Sequence, residues 1–217
     1  MSTAPVPASS SAHVGGALIV AGVVQFSVAM AVVQAKYPGY SDAANYISDL
    51  GNTALSPWYL RFNVSIVLLG VLAFVGILLG WGGFLPGGTR ALGLLLLRVA
   101  SAGAVGVGVF PENVNPTVHG VASLIVFAPG GGALLLLGAG MRRGTGWHGL
   151  GGLSLLLGLI TLVSLAYYVP TQSSNTTVDP GRIERLVVFP ILIWGFLAGV
   201  QLGRPRRASR FFPGTIA

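Results

Sequence analysis

Asp49, Arg61, Glu112, Asn113, Asn115, His119, Glu184 and Arg185 stand at the margins of long apolar stretches, in a chain with only 8% charged residues. These residue types cover three chemistries. His119 with Asp49 or Glu184 would be a catalytic acid–base set, since an imidazole titrates near neutrality and a carboxylate can orient it. Arg61 and Arg185, with Glu112 and Asn115, would form a ligand-binding set, because guanidinium forks match a phosphate or carboxylate. Asp49, His119 and Glu184 are also the types that ligate a divalent metal. No metal or other cofactor is expected, however. The chain has three histidines, two of them (His13 and His148) lie away from this set, and no HxxxH or HExxH spacing occurs. A bland alternative stands beside all three: the same side chains cap helices, bond loop backbone and pair with one another.

The elements that carry these residues follow from composition. Of 217 residues, 53% are hydrophobic and the mean hydropathy is +0.79. A soluble domain carries about 25% charged residues, so this is a membrane composition. The absence of cysteine rules out disulfides, thiolate metal sites and cysteine nucleophiles. The net charge of +7 does not point to nucleic acid. The basic residues sit beside apolar spans, where they set orientation in a bilayer.

About 20 apolar residues cross a hydrocarbon core as a helix. Six stretches meet that length: 14–35, 58–81, 90–110, 118–140, 149–169 and 182–203. The first lacks a basic leader and is longer than the apolar core of a signal peptide, so it is expected to remain as a span. The expected organisation is a polar segment 1–13, a six-span domain 14–203 and a basic tail 204–217. Charge alternates between the connections. Arg90, Arg142, Arg143 and the tail arginines Arg204, Arg206, Arg207 and Arg210 fall on one side, which the positive-inside rule makes cytoplasmic, together with both termini. All five acids fall on the other side, with the Asn175–Thr177 glycosylation-type triplet. Trp58-Tyr59 and Tyr167-Tyr168 fit an aromatic belt there.

On that external side, residues 41–51 read as a short interfacial helix. Ser41 is its cap, Gly51 its stop, and Asp42, Asn45 and Asp49 share a face. Ser56 before Pro57, and Asp179 before Pro180, read as caps with proline at the first helical position. Phe110-Pro111 ends the third span and Pro116-Thr117 opens the fourth, which places His119 in a first turn.

"NYISDLG", "SPWYLRFNVSIVLLG", "GVFPENVNPTVHGVAS" and "GRIERLVVFPILIWGFLAG" run in order through the chain. Together they resemble the membrane family catalogued as domain of unknown function nine-nine-eight. Its Ser-Asp-Leu-Gly, Phe-Pro…His-Gly and Gly…Arg elements match Ser48–Gly51, Phe110-Pro111 with His119-Gly120, and Gly181 with Arg185. The resemblance covers nearly the whole chain. It implies a helical membrane protein and supplies no activity.

Three features lie inside the spans. Arg98 falls near the middle of the third, where a charge costs several kcal/mol unless it is paired or reaches water. Gln25, Thr161, Ser164 or carbonyls freed near Pro129 are candidate partners, and snorkelling to the cytoplasmic headgroups is the alternative. "APGGGA" at 128–133 reads either as a broken helix lining a site or as a kink with close packing. "SAGAVGVG" at 101–108 is a small-residue packing face, within the bundle or in a homo-oligomer. There is no P-loop and no GxSxG.

The expected protein is an all-α, six-helix transmembrane bundle, multi-pass in the cell membrane, with membrane lipids as partners. Its leading function is an external polar pocket for a lipid headgroup or small anion. The alternatives are an outer-leaflet lipid-modifying enzyme using His119, a small-solute transporter using Arg98 and a broken fourth helix, and a structural subunit.

Overall fold

A computed structural model describes residues 9–84, 88–142, 147–174, 176 and 178–204. Arg143, Asn175, Thr177 and the tail arginines beyond Arg204 lie outside the described residues, as do positions 1–8. Among those described there is no strand. Six helices follow one another: α1 (Ser10–Lys36), α2 (Tyr59–Gly80), α3 (Gly88–Val109), α4 (Pro116–Met141), α5 (His148–Ser173) and α6 (Pro180–Leu202). All six are long and apolar enough to cross a membrane. At 1.5 Å per residue even the 22-residue α2 and α3 exceed the ~30 Å hydrocarbon core. The spans predicted at 14–35 and 149–169 start or end several residues short of their helices, because Ser10, Lys36 and Gln172 continue the backbone ladder past the apolar run.

Each helix packs on the next and α1 closes on α6, giving an up-and-down ring, with α4 also touching α6 across it. All described acids lie at one end, here termed the acidic end. Large apolar side chains such as Leu60, Leu159 and Val163 face outward. In a lipid solvent that arrangement is favourable. It also means that apolar burial does not hold helix to helix, so close packing must. Glycine supplies it at five of the six seams. A Cβ on Gly15 (α1) would stand 2.5 Å from the Gly76 carbonyl oxygen (α2), and one on Gly70 would stand 2.6 Å from that of Ser101 (α3). Gly103 approaches the Ala122 carbonyl of α4 within 3.0 Å, Gly158 of α5 that of Gly131 within 2.9 Å, and Gly199 of α6 that of Gly16 within 2.8 Å, each on the same measure. The α5–α6 seam instead carries hydrogen bonds. The Trp194 indole donates to Ser154 Oγ at 2.6 Å and the Thr161 hydroxyl donates to the Val187 carbonyl at 3.4 Å.

The intramembrane features resolve as packing. α4 runs unbroken through Pro129, with Gly130 against Ile191 and Gly131 against Leu162; the broken helix is not there. The 101–108 face is used inside the ring, Gly103 and Gly106 against α4 and Gly108 against α2. Arg98 lays its guanidinium against Trp81, 5.1 Å from the ring centroid, and Arg90 reaches the same ring at 5.4 Å. Trp81 follows α2 at the end opposite the acids. The Arg98 side chain therefore runs toward the start of α3, the direction in which helical Cβ bonds already tilt, as a cation on an aromatic face, with its Nε buried and without a hydrogen-bond partner. Gln25 and Thr161 are not its partners: Gln25 donates to the Gly22 and Ser65 carbonyls, and Thr161 to Val187.

The first acidic-end connection departs most from expectation. Instead of one helix over 41–51 there is a turn near Ser41–Asn45 and a single 3-10 turn at Ser48–Gly51. Side chains have taken the backbone donors that a helix needs. Tyr46 N–H donates to Asp49 Oδ2 at 2.9 Å and Ile47 N–H to the Glu184 carboxylate. The loop is packed in as well, with Ile47 and Leu50 buried against Phe26 and Phe62. Two predicted caps also differ. α2 begins at Tyr59, and Ser56 Oγ is buried without a hydrogen-bond partner. Asp179 makes no cap bond and pairs with Arg182 at 2.8 Å.

The seams give a direct test. Gly199→Ala should lower stability by about 1–3 kcal/mol through overpacking, while Gly152→Ala, whose Cβ meets nothing within 4 Å, should be near neutral. Thermal unfolding in mild detergent reads the difference.

Candidate functional site

The start of α6 organises the acidic end. Gly181 passes so close to the first loop that a Cβ would stand 2.6 Å from the Asp42 carbonyl oxygen, and its N–H donates to the Ala43 carbonyl at 2.9 Å. One turn later Arg185, nearly buried, donates through Nη1 to the carbonyls of Asp42, Asn45 and Gly181, and through Nη2 to Tyr40 Oη and, at 2.6 Å, to Asp42 Oδ1. Tyr40 in turn donates to the Tyr46 carbonyl at 2.9 Å, and burial raises its pKa, which keeps that proton in place. Both terminal nitrogens of the guanidinium are thus engaged by the protein, and the side chain holds the loop.

That loop roofs a chamber of about 480 Å³ at the acidic end of the α4–α5 seam. Its polar wall includes Asn52, Glu112, Asn113, His119, Tyr168, Gln172 and Glu184. Leu124 and Val169, on its apolar wall, are also exposed on the outer face of the bundle. The chamber therefore abuts the surface that would face lipid. His119 sits in the first turn of α4, 2.9 Å through Nδ1 from the Phe110 carbonyl. A carbonyl can only accept, so Nδ1 carries the proton and Nε2 is the nitrogen able to accept another. Asn115 caps α4 by accepting from Val118 N–H at 3.1 Å, with Pro116 at the first helical position.

The sequence-predicted residues divide accordingly. Glu112, Asn113, His119 and Glu184 line the chamber. Asp49 stands beside it, its carboxylate taken by Asn45 Nδ2 and Tyr46 N–H. Asn115 is a cap, Arg185 a loop anchor, and Arg98 lies at the far side of the bundle. Arg61 is exposed, stacked 3.8 Å over Trp58, and lines no part of the chamber. Asn113 brackets Thr53, bonding both its N–H and its hydroxyl. Tyr168, Gln172 and Asn52 were not among the predicted site residues. Tyr167 and Tyr168 read alike as a belt, yet a 100° step on the helix leaves Tyr167 exposed and buries Tyr168. Asn63 was also overlooked; a polar residue in an apolar span, it donates to the Gly51 carbonyl at 3.0 Å and fixes the end of the 3-10 turn. Among the described residues no three His, Asp or Glu side chains converge as metal ligands would.

Glu112 lies on the connection between α3 and α4. Burial, reinforced by the Asp49 carboxyl beside it, pushes its pKa up to about 7, against the opposing pull of hydrogen bonds from Ser48 and Asn52. A carboxyl whose pKa is raised by folding contributes its stability below its unfolded pKa near 4.5 and loses it as pH rises through about 7. The melting temperature of the protein should therefore fall between pH 5 and pH 8, and Glu112→Gln should flatten that fall. An equal slope in the variant would show that Glu112 is not the responsible group.

The chain matches, over residues 19–201, the family described as "Protein of unknown function (DUF998)". No curated protein and no solved structure matches it. The matched region takes in the clamp at Gly181 and Arg185, the 3-10 turn at Ser48–Gly51 and the Phe110–Gly120 link, so every element that shapes the chamber lies within it. The chain belongs to the DUF998 family.

Proposed function

We propose that the protein is an integral membrane protein that binds a lipid headgroup in the acidic-end chamber, on the external side of the cell membrane. The observation that carries this reading is the chamber's composition and place. Carboxyl, imidazole, phenol and amide groups gather in a space whose apolar wall continues onto the outer surface of the bundle. A lipid can enter from the bilayer sideways and leave its polar end among these groups. Of the two ligand classes expected from sequence, a small anion fits less well. Arg61 and Arg185, which would have supplied the charge, lie outside the chamber, and two acids line it. A headgroup rich in hydroxyls, or one carrying an amine, suits donors and acceptors of this kind.

A second reading rests on His119. Its Nδ1–H is held by Phe110, so the orienting bond of a general base is already made by backbone. If the bound lipid is modified there, His119 is the proton acceptor, and His119→Gln would abolish turnover without loss of binding.

Gly120 tests the binding reading without disturbing the fold. It lines the chamber, and a Cβ on it would meet nothing within 4 Å. Gly120→Phe should fill the space, leaving thermal stability within ~0.5 kcal/mol of wild type and cutting co-purified lipid, quantified by native mass spectrometry, at least tenfold. Undiminished lipid in a folded Gly120→Phe protein would exclude the chamber as the binding site.

A further inference from the structure

The end of the bundle opposite the acids gathers positive charge. All five acidic side chains, Asp42, Asp49, Glu112, Asp179 and Glu184, belong to the acidic end, and so do both salt bridges among the described residues. At the opposite end Arg90 and Arg98, about two turns apart on α3, bring their guanidinium groups to one ring. The guanidinium carbons lie 5.4 and 5.1 Å from the centroid of Trp81. A ring face attracts each cation, but the two cations repel each other and no carboxylate side chain stands near to balance them. Their hydrogen bonding is as incomplete as their charge. A guanidinium has five N–H donors and needs acceptors once it leaves water. Arg185, at the acidic end, makes five hydrogen bonds. Among the described residues Arg90 makes one, a long bond from Nη1 to the Phe84 carbonyl at 3.4 Å. Arg98 makes none, and the Nε of both arginines is buried without a partner. Both side chains are only half-buried, so a ligand can reach them. Trp81 directly follows α2, whose 22 residues already exceed the ~30 Å hydrocarbon core. The ring and its two cations therefore stand at the headgroup boundary, where a bilayer places its phosphates.

We propose that Arg90 and Arg98, gathered on Trp81, form a phosphate site that takes the headgroup of an anionic lipid at the end opposite the acids. The site is separate from the acidic-end chamber and does not rest on its reading. A phosphate supplies what both arginines lack, negative charge and several acceptor oxygens in a geometry that the guanidinium fork matches. Basic recesses between membrane helices hold lipid phosphates in this way. The two cations also set the lipid class. A zwitterionic headgroup brings an amine that they repel, whereas a headgroup with phosphate as its only charge does not. Trp81 positions the pair: its ring is the surface on which both forks are laid, and it fills the interfacial level that tryptophan favours.

The test uses the full-length protein, stripped of lipid in mild detergent and titrated with phosphatidylglycerol, with phosphatidylcholine and with inorganic phosphate. Thermal shift is the readout. Phosphatidylglycerol should stabilise at concentrations about tenfold or more below those of phosphatidylcholine, the effect of one strong charge-assisted bond. Inorganic phosphate should give less than half of the lipid's shift. Arg98→Gln should remove the preference for phosphatidylglycerol, and Arg98→Lys, which keeps the charge and loses the fork, should retain part of it. Arg204→Gln removes one exposed cation at the same end and should leave the preference intact, as should Gly120→Phe in the chamber. Equal stabilisation by the two lipids in the wild type would overturn the site. So would a preference that Arg204→Gln weakens as much as Arg98→Gln, since net charge would then account for it, or one that Gly120→Phe abolishes, since the chamber would then be the binding place. A shift from inorganic phosphate equal to that from phosphatidylglycerol would overturn the lipid as its source and assign the arginines to a free anion. The wild-type comparison of the two lipids decides the matter even if Arg98→Gln does not fold.

Discussion

The grip of Arg185 on the first loop is the contact on which the acidic end depends. A cation at the start of a membrane helix would ordinarily face headgroups and water. Here it is turned inward and satisfied by three carbonyls, a phenol and the Asp42 carboxylate. The Asp42 carboxylate is itself largely exposed, so the ion pair adds little and the backbone carbonyls carry the grip. Gly181 makes the grip possible, since any larger residue would collide with the loop backbone. Glu184, its neighbour, faces the other way and takes the Ile47 N–H. Two adjacent charges on one helical turn thus bind the same loop from two sides, and the loop becomes the roof of the chamber.

The rest of the bundle is built around a different constraint. Its outer surface is as apolar as its interior, so helix pairing relies on short approaches between backbones. Glycines at the α1–α2 and α1–α6 seams draw those three helices tight. The same economy leaves the axis incompletely filled. Alanines and a glycine (Ala73, Ala100, Ala104, Gly195) line an axial cavity where larger side chains would close it. Arg98, the one charge deep in a span, does not face that cavity and lies against Trp81 instead. Apart from Ser101 the axis is apolar, and its polarity changes where Ser48, His119, Ser123 and Glu184 meet it.

The six helices were legible because a membrane span needs only length and hydropathy, and both are local. The segregation of acids to one end was legible for the same reason. Asn115, grouped from sequence with the ligand-binding residues, is instead the cap of α4, a role that its place directly before Pro116 could have signalled. The loop at 41–51 was not legible, because its periodicity truly is helical; what prevents the helix is Glu184, 137 residues away, claiming the Ile47 N–H. Arg185 could be placed at the acidic end from sequence, yet whether it faced a ligand or a carbonyl depended on the path of the same loop. Arg61 was misread as a ligand group because sequence does not reveal that Trp58, three residues before it, offers its ring. Tyr168 and Gln172, four apart on α5, are bonded to each other, and only the α4–α5 packing shows that Tyr168 is buried while Gln172 stays at the exposed rim of the chamber. The resemblance carried by the Ser48–Gly51, Phe110–Gly120 and Gly181–Arg185 motifs placed the chain in its family. These are also the three segments that meet at the chamber.

The most direct test of a lipid held at the acidic end is a high-resolution map of the native protein in nanodiscs. Density for a lipid's polar end should fill the chamber, between Glu112 and His119 and beside Glu184. A chamber holding only water would contradict it.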